Sequence, residues 1–325
     1  VILATDETPP TRTCIFDAGD VEPLAASDVQ HVQRERLPPD RFWENVGHLH
    51  ADTRHTGAAW YLARQAVARR VPLSVDVERD RPGAAFDGLV DAADIVFTNG
   101  ALMHGTLRRR RALQPCTEVD CVTARTFQHE VMLLSYHLHR LHNTTYSSDK
   151  KKELVVTRGR LGAIQCVMTD SSKNNCDTAG ERSWMKVEVA EKKTRHRMEA
   201  TQTIYDHLYC TMEVIHYTLH DVDPPKDIDI VDTTGAGDAF IAGYLFARHF
   251  LERKESELSP GEVDAETANS EKALFELRFA SWVAGRKIGD VGARQGLPSW
   301  EDVVAALGED VESIAYTLKE KFDRL

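Results

Sequence analysis

No two cysteines in the chain are spaced as CxxC, which removes the commonest zinc and dithiol redox signatures. The six cysteines stand apart at positions 14, 116, 121, 166, 176 and 210, and reduced thiols of a cytoplasmic protein are the expectation. No apolar run approaches the roughly 20 residues that cross a bilayer, so no membrane partner is expected. Positive charge is in deficit. The 40 Lys and Arg face 51 Asp and Glu, for a formal net charge of −11. That balance argues against broad nucleic-acid affinity, yet leaves room for a local positive pocket that takes a nucleotide. No internal repeat is visible. A starting methionine is lacking too. Val1-Ile-Leu-Ala reads as the middle of a strand, and the expectation is a chain that begins partway through a fold.

What is present is a chain of 325 residues, 42% apolar and 28% charged, enough to bury a large core. Its most informative stretch is Ile228-Asp-Ile-Val-Asp-Thr-Thr-Gly-Ala-Gly-Asp-Ala-Phe-Ile-Ala-Gly-Tyr-Leu245. It reads as a short buried strand, a turn of small residues, then a helix whose Phe240, Ile241, Tyr244 and Leu245 recur at helical spacing. Helix N-termini present unpaired N–H groups and partial positive charge, so a small-residue loop feeding one suits an anion. Asp238 at the rim of such a site would repel bound phosphate. A general base removing a proton from an attacking hydroxyl explains its presence; a carboxylate merely favoured by the helix dipole is the plainer alternative. The pattern is not a dinucleotide fingerprint, because Phe240 takes the third glycine position.

Along the rest of the chain, Val1–Thr5 and Thr11–Phe16 read as two strands joined by a turn at 6–10. Pro38-Pro39 marks a loop. Strands are expected within Asn45–Ala51, Leu73–Val77, Ile95–Phe97, Leu154–Thr157 and Ala163–Val167, with helices at Gly57–Arg70 and Phe86–Ala92. This alternation predicts a mostly parallel sheet with helices on both faces. The final third reads as helical over 236–253, about 270–286, and 300–325. Residues 168–200 and 254–270 read as exposed insertions. Arg108–Arg111 is read as a solvated helix start, and His129, His137, His139 and His142 lack zinc-protease spacing. Met132–Leu134 and Leu138 form an amphipathic stripe.

The run Asp232–Leu245 resembles, position by position, the second signature of the PfkB carbohydrate kinases, the ribokinase-like family. Further patches are similar to the ketohexokinase members of that family. The resemblance implies a ribokinase-like three-layer α/β/α sandwich with a remnant of a β lid at 1–17, in one kinase domain lacking its N-terminal portion. It implies ATP-dependent phosphorylation of a sugar hydroxyl, of fructose or a related carbohydrate, with Mg2+. Asp238 would be the catalytic base, with Gly235, Ala236 and Gly237 cradling the phosphoryl group. Arg54, in Leu49-His-Ala-Asp-Thr-Arg54, would touch the sugar; a surface salt bridge is the competing reading. Asn99, Thr157, Gly159 and Gly162 would lie along the nucleotide phosphates, although 157–162 also reads as a hairpin turn. Ser281, Gly285 and Ile288 would form one wall of the adenine pocket. Asp232 and Thr234 occupy the turn where the family often holds a monovalent cation, K+; Asp232 as a simple turn cap is the alternative. A homodimer through the lid is a further implication.

The sequence also departs from the family pattern. The family's opening sugar-binding strand and paired glycines have no counterpart, and position 102 is Leu where a Glu would help organise magnesium. Two further classes therefore stay open: a nucleotide-binding protein with impaired catalysis or a fragment of such a kinase, and a scaffold that recruits partners through 168–200.

Overall fold

Successive side chains in Ile95–Asn99 and Lys152–Thr157 enter two different apolar layers, the sign of strands covered by helices on both faces. The computed structural model of the chain describes residues 2–4, 12–14, 22–36, 38–79, 81, 83–100, 127–140, 152–170, 185–193, 197–206, 211–226, 228–257 and 265–307. Among these the elements run β1 (Ile2–Ala4), β2 (Arg12–Cys14), α1 (Ala26–Glu35), α2 (Pro39–Trp43), β3 (Leu49–Asp52), α3 (Thr56–Ala68), β4 (Leu73–Val77), α4 (Ala84–Ala92), β5 (Ile95–Asn99), α5 (Phe127–Arg140), β6 (Lys152–Thr157), β7 (Ala163–Asp170), β8 (Met185–Lys193), β9 (Arg197–Asp206), β10 (Thr211–Val222), α6 (Ala236–Glu257), α7 (Ala265–Ile288) and α8 (Trp300–Leu307).

One layer of the core packs Leu73, Val75, Val96, Leu154, Val156, Ile164 and Cys166 against Ala63 of α3, Phe86 and Leu89 of α4, and Met132 and Leu134 of α5. The other packs Ile95, Phe97, Val155 and Ala163 against Phe240, Ile241 and Tyr244 of α6 and Leu277 and Ala280 of α7. The architecture is thus the expected α/β/α sandwich. Its sheet has eight strands in the order β3-β4-β5-β6-β7-β10-β9-β8. From β3 to β6 neighbours are parallel, with α3 and α4 forming two of the crossovers. From β6 onward every pairing is antiparallel. β1 and β2 pair antiparallel in a separate two-stranded sheet.

Several sequence readings change here. Of the stretch 168–200, residues 168–170, 185–193 and 197–200 belong to β7, β8 and β9 and are hydrogen-bonded into the sheet rather than standing out as an insertion; 171–184 and 194–196 lie outside the described residues. Met185-Lys-Val-Glu-Val alternates at period two, a strand signal that the surrounding charge obscured; Lys and Glu are what an edge strand carries to discourage pairing with other chains. Pro39 opens helix α2, where Pro at the first turn loses no hydrogen bond. Helices α6 and α7 reach into 254–257 and 265–270, so the polar stretch there is partly helical; 258–264 lie outside the described residues. Arg108–Arg111 lies outside them as well, and α8 is described only to Leu307.

A buried polar network ties the sheet to the α6–α7 layer. Arg248 Nη2 donates to Glu153 Oε2 at 2.7 Å and to Glu276 Oε2 at 3.0 Å. The Tyr244 hydroxyl donates to Glu153, and Gln165 Nε2 donates to that hydroxyl at 2.7 Å. Gln165 Oε1 lies 3.1 Å from His220 Nδ1, and His220 Nε2 lies 3.0 Å from Ser270 Oγ. Burial holds His220 down to about 4, so the ring is neutral. Its Nδ1–H then donates to Gln165 and its Nε2 accepts from Ser270.

Candidate active site

Strand alternation sets the site. Leu73, Val75 and Val77 of β4 face α3–α5, so Ser74 and Asp76 face α6 and α7. Asp52 at the end of β3 is the register partner of Asp76, and Asn99 at the end of β5 is the partner of Thr157 at the end of β6. A row of polar side chains therefore lies across the carboxyl ends of four parallel strands, where open α/β sheets bind ligands.

The N-terminus of α6 stands over this row. Gly235 Oand Ala239 N close the first helical bond at 2.9 Å, and Ala236 N is used by Thr233 O at 3.2 Å. The N–H groups of Gly237 and Asp238 have no acceptor among the described residues. Asp238 is exposed, in the first turn of the helix. Its charge reaches the strand ends: burial first, then Glu78, Asp238 and Asp52, push the Asp76 carboxyl up to about 7. Below, the Ser74 hydroxyl bridges His48 Nε2 and His50 Nδ1, each at 2.8 Å, and burial lowers His48 to about 4.

The turn before the helix is anchored to the end of α7. The amides of Val231 and Asp232 donate to the Ile288 carbonyl at 2.8 and 3.1 Å. Residues 228–230 are therefore not the buried strand that the sequence suggested: Ile230 and Val231 are each 54% exposed, because their backbone is held by a helix end and not by a sheet. Asp232 Oδ1 accepts the Thr234 amide at 2.9 Å, and Oδ2 accepts the Gly292 amide at 2.8 Å. The Thr234 amide, the adjacent Thr234 hydroxyl and the Gly292 amide together hold the Asp232 carboxyl down to about 2. The main-chain oxygen of Asp232 accepts Lys287 Nζ at 2.9 Å. Thr234 Oγ1 is buried and reaches no partner at full hydrogen-bond geometry. Gly235 has φ +76°, and a Cβ there would lie 2.9 Å from the Ala293 carbonyl oxygen, so only glycine fits without displacement.

The structure brings Asp238, Gly235, Ala236 and Gly237 to one helix end, facing the strand row that includes Asn99 and Thr157. Arg54 is exposed beside that row, its amide donating to Asp52 Oδ1 at 2.9 Å. Thr157 Oγ1 lies 3.4 Å from the Thr98 carbonyl. Gly159 and Gly162 belong to a tight turn between β6 and β7, closed by Arg158 N to Gly162 O at 2.8 Å. Gly162, at φ +83°, packs directly on the Val222 carbonyl, so its glycine is required by the fold whatever it contacts besides. Ser281 and Gly285 are buried under the α7 surface, with Gly285 covered by Ile228 and Pro225. Ile288, three residues beyond Gly285, is half-buried and its carbonyl accepts the Val231 amide; Val231 and Val291 are exposed.

Sequence reasoning missed Asp76 and Lys287. Asp76 could have been found: Leu-Ser-Val-Asp-Val puts two polar residues on one face of a strand buried on both sides, which calls for a reason. Lys287 carried no signal, since lysine at a helix C-terminus is ordinarily a solvated partner of the dipole.

No profile of a known protein family matches the chain, and no curated protein matches it. Among solved structures it is similar to a ribokinase from Giardia lamblia at 14% identity and a TM-score of 0.46, covering 87% of this chain and 64% of that one. A carbohydrate kinase from Agrobacterium tumefaciens is matched at 16% identity and a TM-score of 0.38, over 88% of this chain and 59% of that one. An adenosine kinase from Anopheles gambiae, solved with a bis-adenosine tetraphosphate, is matched at 10% identity and 0.37, over 78% and 54%. The chain thus spans less than two thirds of the length of each of these kinases.

Proposed function

We propose that the chain is a phosphotransferase of the PfkB, ribokinase-like kind, moving the γ-phosphoryl group of ATP to a hydroxyl of a sugar, with a fructose-like ketohexose as the first candidate. The observation that carries this reading is the placement of Asp238. Its carboxylate stands exposed at a helix N-terminus with unused amides beside it, opposite polar strand ends. Such amides hold an anion, and the carboxylate beside them serves as base for the incoming alcohol.

In this reading the sugar hydroxyl gives its proton to Asp238 Oδ as its oxygen attacks phosphorus. The amides of Gly235 and Gly237, joined by that of Asp238, hold the charge of the transferring group, a contribution that grows in the transition state, while the Ala236 amide is already given to the Thr233 carbonyl. Arg54, beside Asp52, contacts the sugar. Asn99 and Thr157 face the phosphates, with the 159–162 turn next to them. Adenine packs on Ile288, Val231 and Val291 instead of on Ser281 and Gly285 themselves, whose role is to support that wall. Magnesium arrives with the nucleotide and offsets phosphate charge. The β1–β2 pair is read as part of a lid, and dimerisation through it as a property of the whole protein.

A coupled assay with ATP and fructose, ribose or adenosine tests the proposal. Transfer to a sugar, abolished by Asp238→Asn with nucleotide affinity retained, supports it; equal turnover of the variant overturns it. One feature favours a second reading, nucleotide binding with impaired transfer: Leu102 stands where the resemblance expects a magnesium-organising Glu. ATP binding by calorimetry, with no transfer to any of the three acceptors, would select it.

A further inference from the structure

Lys287 lies in the last turn of α7 and is fully buried, with no exposed surface. Among the described residues its Nζ makes one hydrogen bond, to the main-chain oxygen of Asp232. Burying an ammonium group is costly unless an opposite charge is near. Here the charge is the Asp232 carboxylate, which Lys287 in turn helps to keep ionised. The main chain of Lys287 is closely packed as well: a Cβ on Gly296 would lie 2.8 Å from its carbonyl oxygen. This cation is thus built into the protein, enclosed by the loops on either side of the α6 N-terminus.

The same atoms are those from which a site for K+ would be assembled, and they fit it poorly. Both carboxylate oxygens of Asp232 accept amide hydrogens, and its carbonyl accepts Lys287. Each of these oxygens keeps a second lone pair, but an ion bound there would compete with three hydrogen bonds and stand beside the Lys287 ammonium, which repels it; the Thr234 hydroxyl is the buried side-chain oxygen of this turn with no partner among the described residues.

We propose that Lys287 Nζ is a tethered cation that takes the place of an exchangeable monovalent ion behind the 232–237 turn, making it a positioning residue for that turn. It holds the Asp232 carbonyl, and through Asp232 the Thr234 and Gly292 amides, so that the N–H groups ahead of Asp238 stay aimed outward. The consequence for phosphate rests on the kinase reading above; the placement of the charge does not.

The first test uses the ligand-free chain. Its unfolding midpoint is measured in KCl and in N-methylglucamine chloride at equal ionic strength. Wild type is expected to show no K+-specific shift. Lys287→Ala lowers the midpoint, and K+ restores roughly 2–4 °C of it where N-methylglucamine does not, because the ion enters the vacated space. A K+-specific rise in wild type, or a Lys287→Ala chain indifferent to K+, overturns the inference. If Lys287→Ala does not fold, wild type decides through its own salt response, together with Lys287→Arg, which keeps the charge and should stay K+-independent. A second arm adds ATP. If ATP fails to raise the midpoint while the salt results hold, the kinase reading falls and the tethered cation stands. If ATP binds, Lys287→Ala should lose kcat at least tenfold with a smaller change in KM, and K+ should return part of that loss.

Discussion

The Asp232 carboxylate accepts the amide of Gly292 at 2.8 Å across 60 residues of chain. That single bond joins the turn entering α6 to the loop leaving α7, and it stands directly behind the helix end that carries Asp238. Each loop alone would be a polar connector free to move; held together, they present a fixed row of N–H groups.

Asp238→Asn removes a base while keeping shape and most hydrogen bonding. Phosphoryl transfer should fall by on the order of a hundredfold or more. Nucleotide affinity should hold or rise slightly, because a negative charge beside phosphate is gone. Steady-state kinetics with calorimetry on the same preparation checks both. Comparable losses in affinity and turnover would mean that Asp238 binds and does not catalyse.

Gly235→Ala tests the turn. A side chain at φ +76° is strained and would press on the Ala293 carbonyl, so stability should fall by about 1–3 kcal/mol in urea titration. Transfer should fall further than stability accounts for, since the displaced amides are those proposed to hold the phosphoryl group. Unchanged stability would show that the loop carrying Ala293 yields freely.

Arg248→Met tests the buried network. The Glu276 side chain is 1% exposed and Glu153 11%, so removing Arg248 strands two carboxylates away from water. Breaking a buried pair from one side costs about 3–5 kcal/mol. Urea denaturation measures it, and the double replacement of Arg248 and Glu276 by apolar residues should recover part of the loss. A cost below about 1 kcal/mol would mean that water reaches the network.

The pH dependence of stability has two opposed parts. His48 and His220 are held down to about 4 against 6.5 when unfolded. Between those values the unfolded chain binds protons that the folded one does not, so this part of the stability grows as pH rises and is lost as it falls. Asp76 acts the other way: folded, it keeps its proton up to about 7; unfolded, it releases it near 3.8. Its contribution therefore declines as pH rises from about 4 to about 7. Asp76→Asn should match wild type near pH 4 and exceed it at pH 8 by about 2 kcal/mol, allowing for solvent screening. Parallel pH curves for the two proteins would place Asp76 in a fully hydrated setting.

Much of the parallel half of the sheet was legible in the chain. Leu73–Val77 and Ile95–Phe97 are short apolar runs, and α3 and α4 repeat at helical spacing, because buried strands and amphipathic helices each impose a local period. The antiparallel half was harder. Met185–Lys193 and Arg197–Asp206 are rich in charge; the first pairs with the second, the second with Thr211–Val222, and that segment joins the sheet by pairing with Ala163–Asp170, a partner that no local window contains.

Of the site, the sequence alone determined the turn chemistry: small residues at 235–237, then Asp238, then a helix, each a local requirement met by local residue choice. Tertiary structure decided what that turn faces and what holds it. Asp52 and Asp76 meet only through strand register, and Lys287 reaches Asp232 only because α7 ends against the 228–235 loop. Periodicity and turn preference act over a few neighbours and are written in the chain. The electrostatics of the pocket depend on which distant charges share a dry space, and packing alone settles that.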